Sequence, residues 1–165
     1  MPIYMSIPDL GAIGSVSRKG YEGWTELVDT DFAGINNPVL MQVGKKGDRM
    51  TDFPSFSPIT VLKRLDRISY KFFQAVTEGI VFKKIFIHYL STSDKNNLVY
   101  FQLELFNVIT THFGDAYKNA SDNYPIETIT LNYNKIKRVF TPHNEKLIPE
   151  SPIISCYDLD LAQLV

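Results

Sequence analysis

Residues 124–138, with the sequence YPIETITLNYNKIKR, contain the clearest strand signal in the chain. Successive side chains of an extended strand point to opposite faces, so Ile129, Leu131 and Tyr133 share one face. Threonine and asparagine side chains occupy the other face. Pro125 stands at the front, where its missing N–H costs the ladder least. The pattern predicts a strand with one buried apolar face and one polar face.

The composition favours a single domain over residues 1–165, because 44% apolar and 13% aromatic residues suffice for a core. Seventeen basic and eighteen acidic residues give a net charge of -1, so bulk charge indicates no nucleic-acid partner. The single cysteine, Cys156, fits a protein that folds in a reducing cytoplasm. The chain lacks the basic start of a secretory signal and any apolar run of about 18 residues. We therefore expect no cleaved signal peptide and no membrane insertion.

Alternating segments elsewhere predict further strands, at 3–7, 24–36, 59–68, 81–105 and 153–161. In the second of these, strict alternation places Val28 and Phe32 on one face and Leu27, Asp29 and Asp31 on the other. A bend is expected near Gly34 and a bulge after Leu105, where the apolar parity shifts.

A change to helical spacing predicts one short helix over 69–79, with Ser69 as its cap and Gly79 as its end. The order of elements indicates a mainly β fold, a closed or nearly closed antiparallel barrel or sandwich with one helix.

Proline and glycine residues punctuate the segment at about 38–57, which predicts a long loop. Long loops in compact domains are usually functional or disordered. The segment carries apolar residues that need a destination, and a partner surface would provide one. These residues are Val39, Leu40, Met41, Met50, Phe53 and Phe56.

The search for catalytic and metal-binding patterns is negative. The chain has no nucleophile elbow, P-loop, dinucleotide fingerprint or HExxH pattern. His88, His112 and His143 lie in separate segments, so we expect no metal and no cofactor. Cys156 sits in an apolar run and is best explained as a small core residue. The sequence 44–49, GKKGDR, is better explained as a charged loop tip than as a phosphate cradle.

Four segments resemble, in the same order, the Hcp family, the haemolysin-coregulated proteins that form the inner tube of bacterial type VI secretion systems. The third, PIETITLNYNKIKRVFTPHN, is the most specific and is close to the family's E-S-I-T-L-N-Y-x-K-I run. In the second, Asp66, Ser69 and Phe72 hold places comparable to those in the family's strand-to-helix segment. The other two are the opening IPDLGAIGSVSRKGYEGWTELVDTDFAGINNP and the weaker closing SCYDLDL.

The resemblance implies a two-sheet antiparallel β-barrel with a flanking helix, and no enzymatic activity. It also implies hexameric rings that stack into a hollow tube. Such a tube is loaded in the cytoplasm, tipped by a VgrG-type spike protein, wrapped by a contractile sheath and ejected without a signal peptide. Small secreted effectors would travel in the lumen.

The resemblance also implies roles for two groups of residues. The strand that carries Asp29, Asp31 and Phe32 corresponds to a sheet that faces the lumen. The long loop corresponds to one used in ring or subunit contact, and this would involve Val39, Leu40, Met41, Lys45, Lys46, Arg49, Met50, Phe53 and Phe56. The loop departs from the family in being more apolar and basic, and Cys156–Tyr157 replaces the usual Gly-Trp.

A second hypothesis is a monomeric β-barrel that binds a ligand in its mouth, or a small hydrolase. Such a protein needs a concave pocket with convergent polar groups and perturbed pKa values. A smooth closed barrel with no such pocket would count against it.

Overall fold

The computed structural model describes residues 1–40, 50–91, 98–116 and 124–165. One helix, α1, covers Ser69–Glu78. The strands in chain order are β1 (Ile3–Ser6), β2 (Thr25–Phe32), β3 (Ile35–Asn36), β4 (Val39–Leu40), β5 (Met50–Thr51), β6 (Ser55–Phe56), β7 (Ile59–Arg64), β8 (Val81–Ser91), β9 (Leu98–Ala116), β10 (Ile126–Asn132), β11 (Lys135–Phe140), β12 (Ile153–Asp158) and β13 (Gln163–Leu164).

Six antiparallel strands close into a barrel in the order β10-β7-β2-β1-β8-β9, with β9 pairing back onto β10. The 19-residue β9 makes this closure possible because different parts of one edge pair with β11 and β10. Beyond β11 the sheet continues through β12 to β13. The predicted mainly β barrel with one helix is confirmed.

The stretch 124–138 forms two strands, β10 and β11, separated by Tyr133 and Asn134. The predicted alternation is confirmed, since Ile129, Leu131 and Tyr133 are buried. The two residues between the strands make hydrogen bonds to other parts of the fold. The Tyr133 hydroxyl donates to the Ser57 carbonyl at 3.0 Å, and the Asn134 N–H donates to a carbonyl of β9.

The alternation predicted for β2 is wrong beyond Leu27. The register of β2 against β7 shifts between Leu27 and Asp29, so Val28 is an extra, unpaired residue. A bulge of one residue reverses which side chains face inward. Phe32 consequently packs against the core, while Asp29 and Asp31 are exposed.

A second reversal lies in β9. Leu103 and Leu105 are buried before it and Val108 is buried after it, which agrees with the predicted shift of parity. The reversal occurs at Asn107, whose φ is 48°. Asparagine tolerates this left-handed conformation better than other residues with a Cβ.

Helix α1 confirms the predicted helix, and Gly79 ends it in the left-handed conformation. The predicted role of Ser69 is wrong, because the residue before the helix is Ile68 and no side chain caps the helix there. Ser69 is the first helical residue, and its hydroxyl is engaged in the interior. Phe72 and Ala75 pack into the core, whereas Phe73 is exposed.

The predicted long loop contains two short ladders in its described part, β3 with β6 and β4 with β5. We call residues 35–40 and 50–56 the arm. The Phe56 ring stacks on the Tyr157 ring of β12 at 4.7 Å between centroids, which ties the arm to the sheet.

Side chains fill the barrel. Fully buried residues from β7, β8, β9 and β10 meet in one cluster, against which α1 packs Phe72. Members of that cluster include Ile59, Val61, Ile85, Leu105, Ile129 and Leu131. At ten residues, α1 is too short to cross a bilayer, and the described part of the chain has no helix suited to that role.

Candidate functional site

A polar surface runs across the outside of four barrel strands. Directly paired residues lie on one face of a sheet, and the registers place Asp31, Thr60, Thr130 and His112 in one row across β2, β7, β10 and β9. The next row contains Asp29, Leu62 and Thr128, with Leu62 between the two polar residues. We call these residues the polar face, namely Asp29, Asp31, Thr60, His112, Thr128 and Thr130.

Short polar side chains give this face its character. The Thr60 and Thr130 hydroxyls are 3.4 Å apart, and the Asp29 carboxylate accepts the Thr30 N–H at 2.8 Å. Asp29, Asp31 and His112 are exposed. The face therefore presents hydroxyls and carboxylates to solvent.

The structure separates Phe32 from the two aspartates with which the sequence analysis grouped it. Its ring is half-buried against the core, and the guanidinium of Arg138 lies 6.0 Å from the ring centroid. Asp29 and Asp31 alone of the three lie on the polar face.

A charged cluster lies buried behind the polar face. Lys63 Nζ is 2.6 Å from Glu127 Oε2 and 2.7 Å from Asp66 Oδ1, and it donates to Ser69 Oγ at 2.8 Å. The side chains of Lys63 and Glu127 are fully buried. Ser69 Oγ in turn donates to Glu127 Oε2 at 2.7 Å. One ammonium thus joins two carboxylates and the first residue of α1.

This cluster fixes the start of α1 to the barrel wall. Lys63 and Glu127 are direct partners in the ladder of β7 with β10. Asp66 Oδ1 also accepts the Ile68 N–H at 3.1 Å, so it satisfies a backbone donor at the helix start. Glu127 Oε1 is buried without a hydrogen-bond partner, whereas Glu127 Oε2, Lys63 Nζ and Ser69 Oγ bind one another, which indicates a structural role for the cluster.

The sequence analysis missed the cluster, although a signal was present. Lys63 shares its parity in the strand with Ile59 and Val61, and Glu127 shares its parity with Ile129 and Leu131. A charged residue at an inward position needs an opposite charge. Two such residues in separate strands predict each other as partners.

A second ion-pair group lies on the outer face of the sheet formed by β8, β9 and β11. Glu104 contacts Lys84 Nζ at 2.7 Å and Lys137 Nζ at 3.1 Å. Burial alone would raise the pKa of the Glu104 carboxyl, but the hydrogen bonds and charges of the two lysines outweigh it. The pKa therefore lies below its usual value.

His88 belongs to an aromatic cluster with Tyr21 and Trp24. Its Nδ1 lies 3.1 Å from the Tyr21 hydroxyl, and its ring centroid lies 4.7 Å from that of Trp24. Burial lowers the pKa of His88, against a smaller upward effect of Glu104. The three rings pack together as a structural unit.

The predicted contact residues fall into three groups. Val39 and Phe53 are exposed on the arm, whereas Phe56 is half-buried on Tyr157. Leu40 and Met50 pair in the ladder of β4 with β5. Met41, Lys45, Lys46 and Arg49 lie outside the described residues.

Within residues 1–40, 50–91, 98–116 and 124–165, no three His, Cys, Asp or Glu residues are placed to hold a metal ion. Cys156 is a free, half-buried thiol on β12.

Comparison with known proteins gives one family. The family model for type VI secretion system effector Hcp matches residues 4–140. No curated protein matches the chain at a significant level.

Solved structures share the fold. A type six secretion system protein superposes with a TM-score of 0.90 at 17% identity, covering 99% of each chain. Hcp1 from Salmonella typhimurium gives 0.78 at 15% identity, covering 99% of this chain and 98% of its own. The tube-terminating cap of the anti-feeding prophage gives 0.56 at 13% identity, covering 84% and 87%.

Proposed function

The chain belongs to the Hcp family of type VI secretion proteins, and from that membership we propose that it assembles as hexameric rings that stack into the inner tube. The family is one of structural, secreted tube proteins, not of enzymes. The match over residues 4–140 is the observation that carries the proposal.

The arm supports self-assembly. Its described part exposes Ile35, Val39 and Phe53, and the Phe53 side chain is 75% exposed. Exposed apolar side chains concentrated on one segment are typical of a surface that a partner covers. We therefore assign the predicted subunit and ring contacts to the arm.

The polar face supports a lumen. A conduit for secreted cargo benefits from a mainly polar surface, because apolar side chains would hold the cargo back. Threonine hydroxyls with the carboxylates of Asp29 and Asp31 make this face mainly polar around Leu62. We propose that this face lines the channel, with small effectors as cargo and a VgrG-type spike and contractile sheath as the other partners.

Labelled particles test the arrangement. A variant with Cys156→Ser and Asp31→Cys carries one thiol on the polar face, and a small maleimide–gold label marks it in electron micrographs. Ring-shaped particles with gold at the centre are expected. Gold on the outer rim would refute the lumen assignment. Cys156→Ser without the new thiol is the control for unspecific labelling.

A further inference from the structure

Residues 14–24 form a strap that lies on the outer face of β1 and β8. Tyr4 of β1 and Leu90 of β8 belong to a small apolar cluster apart from the main core, and both are buried. Side chains of the strap pack over them, namely Val16, Tyr21 and Trp24. The strap therefore closes an apolar surface on the outside of the barrel.

The strap keeps its backbone hydrogen bonds within itself. The Gly14 N–H donates to the Gly23 carbonyl at 2.8 Å, and the Gly23 N–H donates to the Val16 carbonyl at 2.9 Å. The Val16 N–H donates to the Trp24 carbonyl at 3.0 Å. A Cβ on Gly14 would overlap the Trp24 backbone, so the two limbs of the strap are packed tightly together. Because these bonds do not involve the barrel strands, the strap can lift from the barrel as one unit.

His88 of β8 lies where the strap meets the barrel. Its Nδ1 is 3.1 Å from the Tyr21 hydroxyl, and its ring centroid is 4.7 Å from that of Trp24. With its proton on Nε2, the neutral His88 ring accepts the hydroxyl hydrogen at Nδ1. A protonated ring carries hydrogen on both nitrogens and accepts none. Protonation therefore removes the acceptor of the Tyr21 hydroxyl and places a positive charge beneath the strap.

The direct neighbours of His88 carry no charge that would compensate this one. Tyr4 of β1 and Gln102 of β9 pair with it in the two adjoining ladders. Tyr21 and Trp24 pack against its ring from the strap. The imidazolium would therefore stand among aromatic rings and one amide.

The charged groups further out do not reverse this effect. Glu104 acts on His88 from β9, and its carboxylate is itself bound to Lys84 of β8 and Lys137 of β11. Burial outweighs this carboxylate, so the pKa of His88 lies below its ordinary value. The other charged residues of the strap and of β2 beside it are Arg18, Lys19, Glu22 and Glu26, of which Arg18 and Lys19 interact with further groups. Segment 92–97 lies outside the described residues and adds one aspartate and one lysine.

We propose that acid releases the strap: protonation of His88 lifts residues 14–24 and uncovers the apolar surface of Tyr4 and Leu90. Once the strap is lifted, His88 stands in water and takes up a proton at its ordinary pKa of 6.5. Beneath the strap its pKa is lower, so the lifted form gains population as the pH falls below 6.5. Between about pH 7.5 and 5.5 the gain is up to about tenfold. The change takes place within one chain, so it is independent of ring formation.

Thiol labelling beneath the strap tests the proposal. Leu90→Cys in a Cys156→Ser background places the one thiol of the full chain where Leu90 is fully buried. The probe is dithiodipyridine, which reacts with thiols in acid as well as at neutral pH. Labelling, relative to the same chain unfolded in urea, is expected to accelerate by up to about tenfold between about pH 7.5 and 5.5. A rate that does not change with pH would overturn the proposal.

A core thiol separates lifting of the strap from unfolding of the whole chain. Ile87→Cys in the same background places the thiol in the main core, where it stays covered when the strap lifts. It should be labelled many-fold more slowly than Leu90→Cys at every pH. Equal rates at the two positions would show that the whole chain opens, and would overturn the proposal.

Removal of the imidazole identifies the group that responds to acid. His88→Phe added to the Leu90→Cys variant should abolish the acceleration, and an acceleration that persists would refute the role of His88. If Leu90→Cys does not fold, Val99→Cys provides a thiol in the same small cluster, with the same expected and contradicting results.

Discussion

Lys63 and Glu127 face each other across the ladder of β7 with β10, with Nζ 2.6 Å from Oε2 and both side chains fully buried. A buried charge without its partner is strongly destabilising, because the desolvation cost remains while the compensating attraction is lost. The pair therefore determines how firmly α1 is held on the barrel.

Replacing Lys63 with Met is expected to lower the free energy of unfolding by about 3–5 kcal/mol, since Glu127 and Asp66 then remain as carboxylates without their ammonium. Urea denaturation at one fixed protein concentration measures the change. Lys84→Met is the matched control, because its ion pair with Glu104 is partly exposed and is worth about 0–1 kcal/mol. Equal losses in the two variants would contradict the assigned importance of the buried cluster.

Replacing His88 with Phe is expected to reduce the loss of stability in mild acid. Burial lowers the pKa of His88 from 6.5, so below that pH the unfolded chain binds a proton that the folded chain resists. The contribution of neutral His88 to the free energy of unfolding is fully present above pH 6.5, the ordinary pKa of histidine. It is lost as the pH falls towards the lower pKa of His88 in the folded state. Unfolding measured between neutral and mildly acidic pH tests this. A steep fall of stability in His88→Phe over the same pH range would contradict the account.

Replacing Tyr133 with Phe removes the hydroxyl that donates to Ser57 beside the arm, at an expected cost of about 0.5–1.5 kcal/mol. Burial raises the pKa of Tyr133 to about 12, so the folded state resists deprotonation. The contribution of the protonated Tyr133 hydroxyl to the free energy of unfolding is present below pH 10, the ordinary pKa of tyrosine. It is lost as the pH rises towards 12.

Denaturation at neutral and alkaline pH measures both effects of Tyr133→Phe. The variant should lack the part of the alkaline loss that Tyr133 causes in the wild type. Tyr70→Phe, on the exposed face of α1, is the control and should lose almost nothing at neutral pH.

Replacing Asn107 with Val is expected to destabilise the protein by about 1–2 kcal/mol, because a β-branched residue is strained in the left-handed conformation. The variant also loses the hydrogen bond that the Asn107 amide donates to Asn134 at 3.1 Å. Asn107→Gly loses the same hydrogen bond, but glycine adopts a positive φ without steric strain. Thermal unfolding should rank Gly above Val, and the opposite order would show that φ is not the cause.

Sequence periodicity predicted the elements whose faces differ in polarity. Ile129 and Leu131 alternate with threonines, and a period of two is visible wherever one face is buried. The helix was predictable for the same kind of reason, from the spacing of Phe72 and Val76 and from Gly79.

Other features depend on partners distant in the sequence. The bulge at Val28 is visible only once β2 is aligned with β7, so strict alternation placed Phe32 with the wrong neighbours. The ladders of the arm are two residues long, too short for a periodic signal. Lys63 and Glu127 lie 64 positions apart; their inward parity marks each as a buried charge that needs a partner, and the pairing of β7 with β10 shows that they are partners of each other.

The central claim is that this chain builds rings. Size exclusion coupled to light scattering, followed by electron microscopy of the eluted peak, tests it most directly. The account predicts a mass near six times the 18.8 kDa of one chain, with ring-shaped particles. A protein that remains monomeric at every concentration, including in crystals, would contradict it.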